Sequence, residues 1–431
     1  MRKIFAVLLC LTFALPARAA TLINDTETEK ILSELVAPIA TAANISPNRL
    51  RIHIVHDDDF NAFVSGGEDV YIYTGLLTQI KSPSALQAVV AHELGHTVGG
   101  HMAQMADRMA AEMRRALLIQ ALGIGLMAAG GEPSLGAGVL AGAGGVATQG
   151  MLSFSRDEER MADNMGLDLM RRAGYDPVAF VAVFEQMRDI TGAAESKINP
   201  NRINHPLTAE RLKNVREYIS THPGKYKSAD TKYAAEYELV RAKLVGYLDT
   251  PARVADLYPS SDKSDGAIYA RAISNMRAGN LDSAAVGVKT LISRNPKNPY
   301  FYELMGDIKF AAGDYNAAAD AYENALKYET NAPQIQTALA LVLTERRASG
   351  DMERARELCL RANLVAPSPL TYWTLARSFG NDPRANWAMA EYYALMGNTK
   401  KARIYAKAAQ KSLPHDSPEF IKSGDILNKK S

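Results

Sequence analysis

The chain has 431 residues, of which 47% are hydrophobic, with 49 lysines and arginines against 47 aspartates and glutamates. This is the composition of a globular protein of two or three domains. The charges are spread along the chain, which argues against a disordered protein and against a basic nucleic-acid-binding protein. The two cysteines, Cys10 and Cys359, are too few for a disulfide scaffold or a cysteine-based zinc finger.

The first twenty residues have the pattern of a secretory signal peptide. Arg2 and Lys3 precede an apolar run over residues 4–15, and Ala17-Arg18-Ala19 is an A-x-A cleavage pattern. The apolar run is shorter than the roughly 20 residues that a membrane-spanning helix needs. We therefore expect residues 1–19 to be removed and the mature protein to be exported, with a bacterial periplasm as the first choice.

The next hundred residues predict a mixture of helices and strands. Helical periodicity extends over residues 21–48, and a strand is predicted at residues 51–56. Two short strands, at residues 62–64 and 70–74, flank a glycine turn. Ser82 is a capping residue and begins an apolar helix that continues past His96.

Residues 116–150 form an unusual segment rich in glycine and alanine. Its only charged residue is Glu132, and ten glycines lie between Gly123 and Gly150. Two interpretations stay open: a tightly packed helical hairpin or mobile flap, and a lid that gates substrate or contacts a membrane surface. Each glycine lowers helix stability by about 1 kcal/mol relative to alanine, which favours mobility over a rigid span.

The middle of the chain returns to polar helices. Residues 154–172 predict a helix that ends at Gly174, and Asp176-Pro177 opens another that reaches Met187. A loop is expected over residues 193–204, followed by a helix over residues 208–219.

The chain after about residue 227 is periodic, helical and rich in alanine. Four glycines mark turns at spacings of 34, 37 and 47 residues, namely Gly279, Gly313, Gly350 and Gly397. An alanine follows each glycine by five residues, and a proline follows three of them by 17 residues. The pattern resembles the tetratricopeptide repeat, with an insertion in the last gap near residues 372–382 and a further, degenerate pair over residues 229–257. We therefore predict an α-solenoid with a concave groove and with Cys359 buried inside it.

The motif that carries the chemistry is His92-Glu93-Leu94-Gly95-His96. On a helix, residues four apart share a face, so His92 and His96 can present two imidazoles to one zinc ion. Zinc lowers the pKa of a bound water to about 7, and Glu93 can accept its proton as the water attacks a peptide carbonyl. The motif therefore predicts a zinc protease.

A catalytic zinc needs a third protein ligand, which spacing alone does not identify. The metzincin pattern would place histidine at position 102, but that residue is Met102 and His101 lies one residue early. Because one residue turns a helix by about 100°, we expect His101 to be a surface histidine or one that supports a ligand. Four acidic residues on a later helix are better candidates for the third ligand: Asp157, Glu158, Glu159 and Asp163. A solvated, charged helix is the alternative.

These motifs together resemble a known family. The zinc motif, the S-R-x-x-E-x-x-A-D-x-x-G pattern of residues 155–166, and His205-Pro206 followed by Arg211 resemble the HtpX/BepA-type gluzincins of the forty-eighth metallopeptidase family. Asn61-Ala62-Phe63 is similar to the family's segment before the zinc helix. Met161 departs from the family's polar residue, at a position that is not a ligand. The resemblance covers about residues 22–219 and implies an α+β zincin-type protease domain with a small β layer.

The resemblance also implies roles for individual residues. Glu159 would be the third zinc ligand, and Asp163 would orient a ligand histidine from behind. His205 would be either a fourth ligand or a donor to the oxyanion, and Arg211 would support the same site. The strand at residues 70–74 would line the cleft and pair with the substrate backbone.

Two functions follow, with residues 20–225 as the protease domain and residues 227–431 as the all-α repeat domain. The first, which the resemblance implies, is a periplasmic zinc endopeptidase, with one zinc ion per chain, that acts in quality control and assembly of outer-membrane proteins. Its partners would be unfolded or misassembled envelope proteins, an assembly machinery bound through the repeats and a peripheral membrane contact. The alternative is a mostly latent protease that acts as a repeat-based chaperone or adaptor. An intramembrane CAAX-type protease is disfavoured because the sequence has no multi-span pattern.

Overall fold

The computed structural model of the protein describes residues 21–101, 154–193, 205 and 208–429. The predicted signal peptide, the glycine-rich segment 116–150 and the predicted loop after residue 193 lie outside the described residues. Within the described residues, the predicted fold class is confirmed: a small sheet with packed helices is followed by a long row of helices.

A four-stranded mixed sheet begins the described chain. Its strands are β1 (Thr21–Ile23), β2 (Arg51–His56), β3 (Ala62–Ser65) and β4 (Asp69–Tyr73), in the order β1-β2-β4-β3. β2 and β4 are parallel, and each of the two outer strands is antiparallel to its neighbour. The three strands predicted at residues 51–56, 62–64 and 70–74 are thus confirmed.

The prediction of one helix over residues 21–48 is wrong at both ends. The first residues form β1, in which Leu22 lies opposite Val55 of β2, so the edge of the sheet determines their conformation. Helix α1 (Thr26–Ala42) begins after Asp25, whose carboxylate accepts a backbone N–H bond of 2.9 Å as an N-cap. It ends before Asn44, which has a left-handed φ of 60°.

The prediction that the strand at residues 70–74 pairs with the substrate backbone also needs correction. The backbone of β4 is bonded on both sides, by β2 and by β3, so it has no free edge for a further strand. In the described part of the sheet β3 is an outer strand, and it lies against the zinc-motif helix. The outer strand that contacts the zinc-motif helix is therefore β3.

Besides α1, the described residues of the first part form five more helices: α2 (Thr74–Gln79), α3 (Pro83–Val98), α4 (Arg156–Arg172), α5 (Ala179–Ala193) and α6 (Ala209–Thr221). Ser82 caps α3 as predicted, and Ser155 caps α4 through a complete capping box. The helix predicted from residue 176 begins only at Ala179. The caps fix where α3 and α4 start, and hence which residues face each other.

α3 and α4 approach so closely that two positions require glycine. A Cβ atom added at Gly95 would lie 2.5 Å from the carbonyl oxygen of Ala162, and one at Gly166 would lie 3.0 Å from that of Ala91. Backbone atoms cannot yield as a flexible side chain can. This close contact places the histidines of α3 opposite the carboxylates of α4.

The repeat region contains twelve described helices. They are α7 (Ala229–Leu248), α8 (Pro251–Leu257), α9 (Asp265–Arg277), α10 (Leu281–Arg294), α11 (Pro299–Ala311), α12 (Tyr315–Tyr328), α13 (Pro333–Arg346), α14 (Asp351–Val365), α15 (Pro369–Phe379), α16 (Arg384–Leu395), α17 (Thr399–Ser412) and α18 (Pro418–Asn428). Each of the four predicted turn glycines lies between consecutive helices with φ between 70° and 83°, a conformation that favours glycine. The 47-residue gap holds an additional helix, α15, which overlaps the predicted insertion. Cys359 is fully buried, as predicted.

α7 belongs to both parts of the chain. Its N-terminal half packs Tyr233 and Tyr237 into the core of the first part, whereas Ala242 and Val245 join the core of the repeats. The predicted domain boundary near residue 226 therefore lies just before α7, a helix that belongs to both cores. The division into two domains stays a prediction.

The start of α1 packs against the repeats through a buried charged group, here called the junction cluster: Asp25, Glu27, Lys243, Tyr269 and Glu303. Lys243 Nζ lies 2.5 Å from Asp25 Oδ1, 3.1 Å from Glu27 Oε2 and 3.6 Å from Glu303 Oε2. Tyr269 donates a 2.9 Å hydrogen bond to Glu27. The cluster joins α1 to α7, α9 and α11, so one face of the repeats is partly occupied by α1.

Among the helices that the structure describes, none combines the length and the apolar character that crossing a membrane requires.

Candidate metal centre and active site

Two histidines of α3 converge on one point. His92 and His96 are one helical turn apart and both are buried, and their Nε2 atoms lie 3.2 Å from each other. Burial lowers the pKa of His96 to about 4, so its imidazole is neutral at pH 7. A neutral imidazole retains the lone pair that a metal needs.

Glu159 and His205 complete a set of four ligand atoms. His92 Nε2 lies 3.3 Å from His205 Nδ1 and 3.5 Å from Glu159 Oε2, and His96 Nε2 lies 3.5 Å from Glu159 Oε1. All four ligand atoms lie within 4.8 Å of one another. Zinc ligands at about 2.0–2.1 Å in a tetrahedron lie about 3.3 Å apart, close to the 3.2–3.5 Å separations made by the Nε2 atoms of His92 and His96. Three imidazoles and one carboxylate therefore fit a zinc ion in number and type.

Behind the ligands, Asp163 and Arg211 form a supporting layer. Asp163 Oδ1 lies 2.9 Å from Nδ1 of His92, the ring nitrogen that faces away from the cluster. Arg211 donates two hydrogen bonds of 2.8 Å to Asp163 and lies 2.6 Å from Glu159 Oε2. Burial raises the pKa of Asp163, but bonding to Arg211 and His92 outweighs it and the net shift is downward. The carboxylate therefore stays ionised and can orient His92.

Glu93 lies beside the ligand set. Its carboxylate is buried, and burial raises its pKa above the ordinary value of 4.5 while His205 and His92 act in the opposite direction. Its Oε1 lies 3.4 Å from Nε2 of His205, whose other nitrogen faces the ligand cluster. A carboxylate with a raised pKa next to a metal site suits a proton acceptor and donor.

The other carboxylates that spacing left open do not join the cluster. Asp157 is exposed and pairs with Arg160, and the Glu158 carboxylate accepts the backbone N–H of Ser155 in the capping box. Geometry therefore selects Glu159 as the ligand candidate and Asp163 as its neighbour. The interpretation of this segment as a solvated face holds for its outer side only.

Of the two interpretations of His101, a surface histidine and one that supports a ligand, the first is wrong. His101 is fully buried, and its Nδ1 lies 3.0 Å from Nδ1 of His96. The other alternative, a histidine that supports a ligand, agrees with this contact. Phe154 was not predicted at the site, yet its ring stacks on His96 with 3.8 Å between centroids.

An apolar pocket adjoins His92 and Glu93. Its walls include Val89 of α3 and a face of α5, formed by Phe180, Val183, Phe184 and Met187. The sequence signal for this wall was available, since these α5 residues recur at spacings of three and four. From the sequence we predict only a helix in that region, without assigning its apolar face to the site.

Comparisons with known proteins show which proteins this chain resembles. Residues 26–227 match the model of Peptidase family M48. A relative from Escherichia coli (strain K12), the Beta-barrel assembly-enhancing protease, is 27% identical over 399 residues, which cover 89% of this chain and 79% of the relative. The Mitochondrial metalloendopeptidase OMA1 of Schizosaccharomyces pombe is 29% identical over 202 residues, 46% of this chain and 55% of that protein.

A solved structure also resembles part of the chain. A crystal structure of a thermophilic TPR protein from Thermus thermophilus is 18% identical and covers 46% of this chain and 94% of its own, with a TM-score of 0.25. That score is too low to bear on the fold. The assignment of repeats therefore depends on the helix pairs themselves and on the glycine turns between them.

Proposed function

We propose, from the match of residues 26–227 to the model of Peptidase family M48, that this metalloprotease is a zinc-dependent endopeptidase that cleaves unfolded or misassembled envelope proteins in the periplasm. The observation that carries the proposal is the convergence of His92, His96, Glu159 and His205 next to Glu93. The matched family is zinc-dependent, and three imidazoles with one carboxylate are ligands that zinc accepts. Bound zinc would supply a Lewis acid that polarises the peptide carbonyl and makes water a nucleophile at neutral pH.

The residues around the ligand cluster have separate roles in proton transfer and in positioning the ligands. Glu93 takes a proton from the attacking water and returns it to the leaving amine, and its burial suits both steps because it raises the carboxyl pKa. Asp163 holds His92 in one orientation. Arg211 holds Asp163 and Glu159 in place, which makes it a positioning residue.

The substrate would be bound as an extended segment. β3 is an outer strand of the described sheet and lies against α3, so its backbone is the edge on which a peptide can add by β-pairing. The apolar pocket beside Glu93 would hold an aliphatic or aromatic side chain next to the scissile bond. Unfolded proteins expose such side chains and folded proteins bury them, which supports misfolded chains as the substrate class.

The place of action is proposed from the signal pattern and from the relatives. Residues 1–19 have the pattern of an export signal, and the Escherichia coli relative is named for enhancing β-barrel assembly. We propose that this chain acts on outer-membrane proteins during assembly, with the repeats bringing it to client proteins or to an assembly machinery.

A second candidate function is favoured by one observation at the site. His205 Nδ1 is within 3.3 Å of His92 Nε2 and 2.7 Å of Glu159 Oε1, close enough to take the fourth zinc position. An occupied fourth position would exclude the catalytic water. The protein would then be a mostly latent protease that acts as a repeat-based chaperone or adaptor, activated when His205 moves and can serve the oxyanion instead.

The test measures zinc content and cleavage of denatured casein for wild type, Glu93→Gln and His205→Ala, with the exposed His222→Ala as control. We expect about one zinc per chain, no cleavage by Glu93→Gln, and unchanged cleavage by the control. Faster cleavage by His205→Ala would support latency, and loss of cleavage would support an oxyanion role. Cleavage that persists in Glu93→Gln, or a wild-type chain that binds no zinc, would overturn the proposed enzyme.

A further inference from the structure

We propose that His101 is a positioning residue for the zinc site: its Nδ1 accepts a hydrogen bond from the Nδ1–H of His96 and thereby leaves Nε2 of His96 free to bind the metal. The proposal rests on the zinc site proposed above. It assigns a role to a histidine that lies outside the H-E-x-x-H motif.

The first argument is the contact itself. The two Nδ1 atoms lie 3.0 Å apart, which is a hydrogen-bond distance, and both side chains are buried. Nε2 of His96 faces the ligand cluster, 3.2 Å from Nε2 of His92. A ring nitrogen that faces a metal cannot carry a proton, so the proton of His96 belongs on Nδ1 and needs an acceptor. Nδ1 of His101, 3.0 Å away, is placed to accept that hydrogen bond.

The second argument is the turn that delivers His101. α3 ends at Val98, and Gly100 has a φ of 69°, which reverses the chain. Gly99 lies under the ring of His101: a Cβ atom added there would be 2.7 Å from His101 Nε2 and 2.9 Å from its Cε1. Gly99 and Gly100 therefore allow the His101 ring to fold back against the end of α3, where it contacts the ligand candidate His96.

The third argument is that each ligand histidine of α3 has its own support. His92 is held by the Asp163 carboxylate at 2.9 Å. His96 has the Phe154 ring stacked on one face, which limits rotation, and His101 at its outer nitrogen. Removing a partner of this kind usually weakens metal binding by about 10–100-fold.

The test uses the zinc dissociation constant, measured by competition with a chelator, for His101→Asn, His101→Leu and His101→Ala. The Asn Oδ1 atom is the same number of bonds from the backbone as the His Nδ1 atom, so asparagine restores the acceptor but not the volume. Leucine restores volume but not the acceptor. We expect alanine and leucine to weaken zinc binding by about 10–100-fold, and asparagine to retain affinity close to wild type.

Gly99→Ala tests the turn independently. The φ of Gly99 is −72°, which suits alanine, so its backbone is not strained and its effect should come through the displaced ring. We expect the same loss of affinity as in His101→Ala, and no further loss in the double variant. His222→Asn, an exposed histidine, is the matched control, and thermal unfolding of the metal-free proteins checks that each variant folds.

The possible outcomes separate this inference from the proposed function. Zinc binding by wild type that is equally tight in His101→Ala would overturn the inference and leave the protease intact. Leucine that restores affinity better than asparagine would show that the ring fills space only, and would also overturn it. A wild-type chain that binds no zinc would instead remove the zinc site on which both depend.

Discussion

The junction cluster offers a test of how the protease part and the repeats are held together. Lys243 and Lys30 are both lysines that bridge α1 and the repeats, but their surroundings differ. The Lys243 side chain is 9% exposed and faces Asp25 and Glu27, whereas the Lys30 side chain is 49% exposed and pairs with Glu329. Replacing each with methionine, which has a similar shape and no charge, isolates the effect of burial.

The two changes should differ several-fold in magnitude. Removing one partner of a buried ion pair costs about 3–5 kcal/mol, because the opposite charge is left in a medium that solvates it poorly. An exposed pair contributes about 0–1 kcal/mol. With an unfolding entropy of about 2.1 cal/mol/K per residue, the 431 residues give about 0.9 kcal/mol/K. If the chain unfolds as one unit, Lys243→Met lowers Tm by about 3–6 °C, and Lys30→Met by about 1 °C or less.

The loss of stability in Lys243→Met should also depend on pH. Burial raises the pKa values of Glu27 and Glu303, and Lys243 acts to lower both. Without the ammonium these carboxyls become still harder to ionise, so at pH 8 the folded variant must take up protons or bury charge. At pH 5 the protons are available and the penalty shrinks.

The measurements are thermal unfolding, which gives Tm, and urea unfolding of wild type, Lys243→Met and Lys30→Met at pH 5 and pH 8. Lys243→Met/Glu27→Gln should recover part of the loss, because one uncompensated carboxylate is removed. Equal midpoints for the two single variants would refute the reasoning, and so would a deficit in Lys243→Met that is the same at both pH values.

Three further outcomes are expected. Burial raises the pKa of Glu303 from 4.5 to about 8, so the native state retains a proton that the unfolded chain has lost. Stability from this group therefore falls as pH rises from about 4.5 to 8, and Glu303→Gln should flatten the urea midpoint over that window. Gly95→Ala places a Cβ 2.5 Å from the Ala162 carbonyl oxygen, which should separate α3 from α4 and weaken zinc binding as well as lower Tm; an unchanged zinc affinity would contradict this. Phe184→Ala enlarges the apolar pocket and should reduce kcat/KM for peptides with a large apolar residue next to the cleaved bond by about tenfold, with cleavage sites mapped by mass spectrometry; an unaltered site profile would show that the pocket does not select substrate.

Features that depend on local spacing could be predicted without a structure. The i, i+4 pair in His92 and His96 needs only a helix to share a face, and Ser82 and Ser155 are caps whose effect is local. The four turn glycines are similar, because glycine adopts a left-handed φ without steric cost and so marks turns between helices. For this reason the zinc helix, the polar helix opposite it and the repeat pattern were all predictable.

Features that depend on which elements meet required the folded chain. Spacing left four carboxylates as candidate ligands, and only the close contact of α3 with α4 places Glu159 in the cluster while Asp157 remains in solvent. β1 is a strand because β2 offers it an edge, and β3, not β4, has the outer position.

Two further contacts could not be predicted from the sequence: that of His101 with His96, and those within the junction cluster. His101 reaches His96 only because a turn folds it back, and Lys243 meets Glu27 across more than 200 residues of sequence. Periodicity and capping act over a few residues, whereas a metal site and a buried ion cluster are made by side chains that only folding brings together.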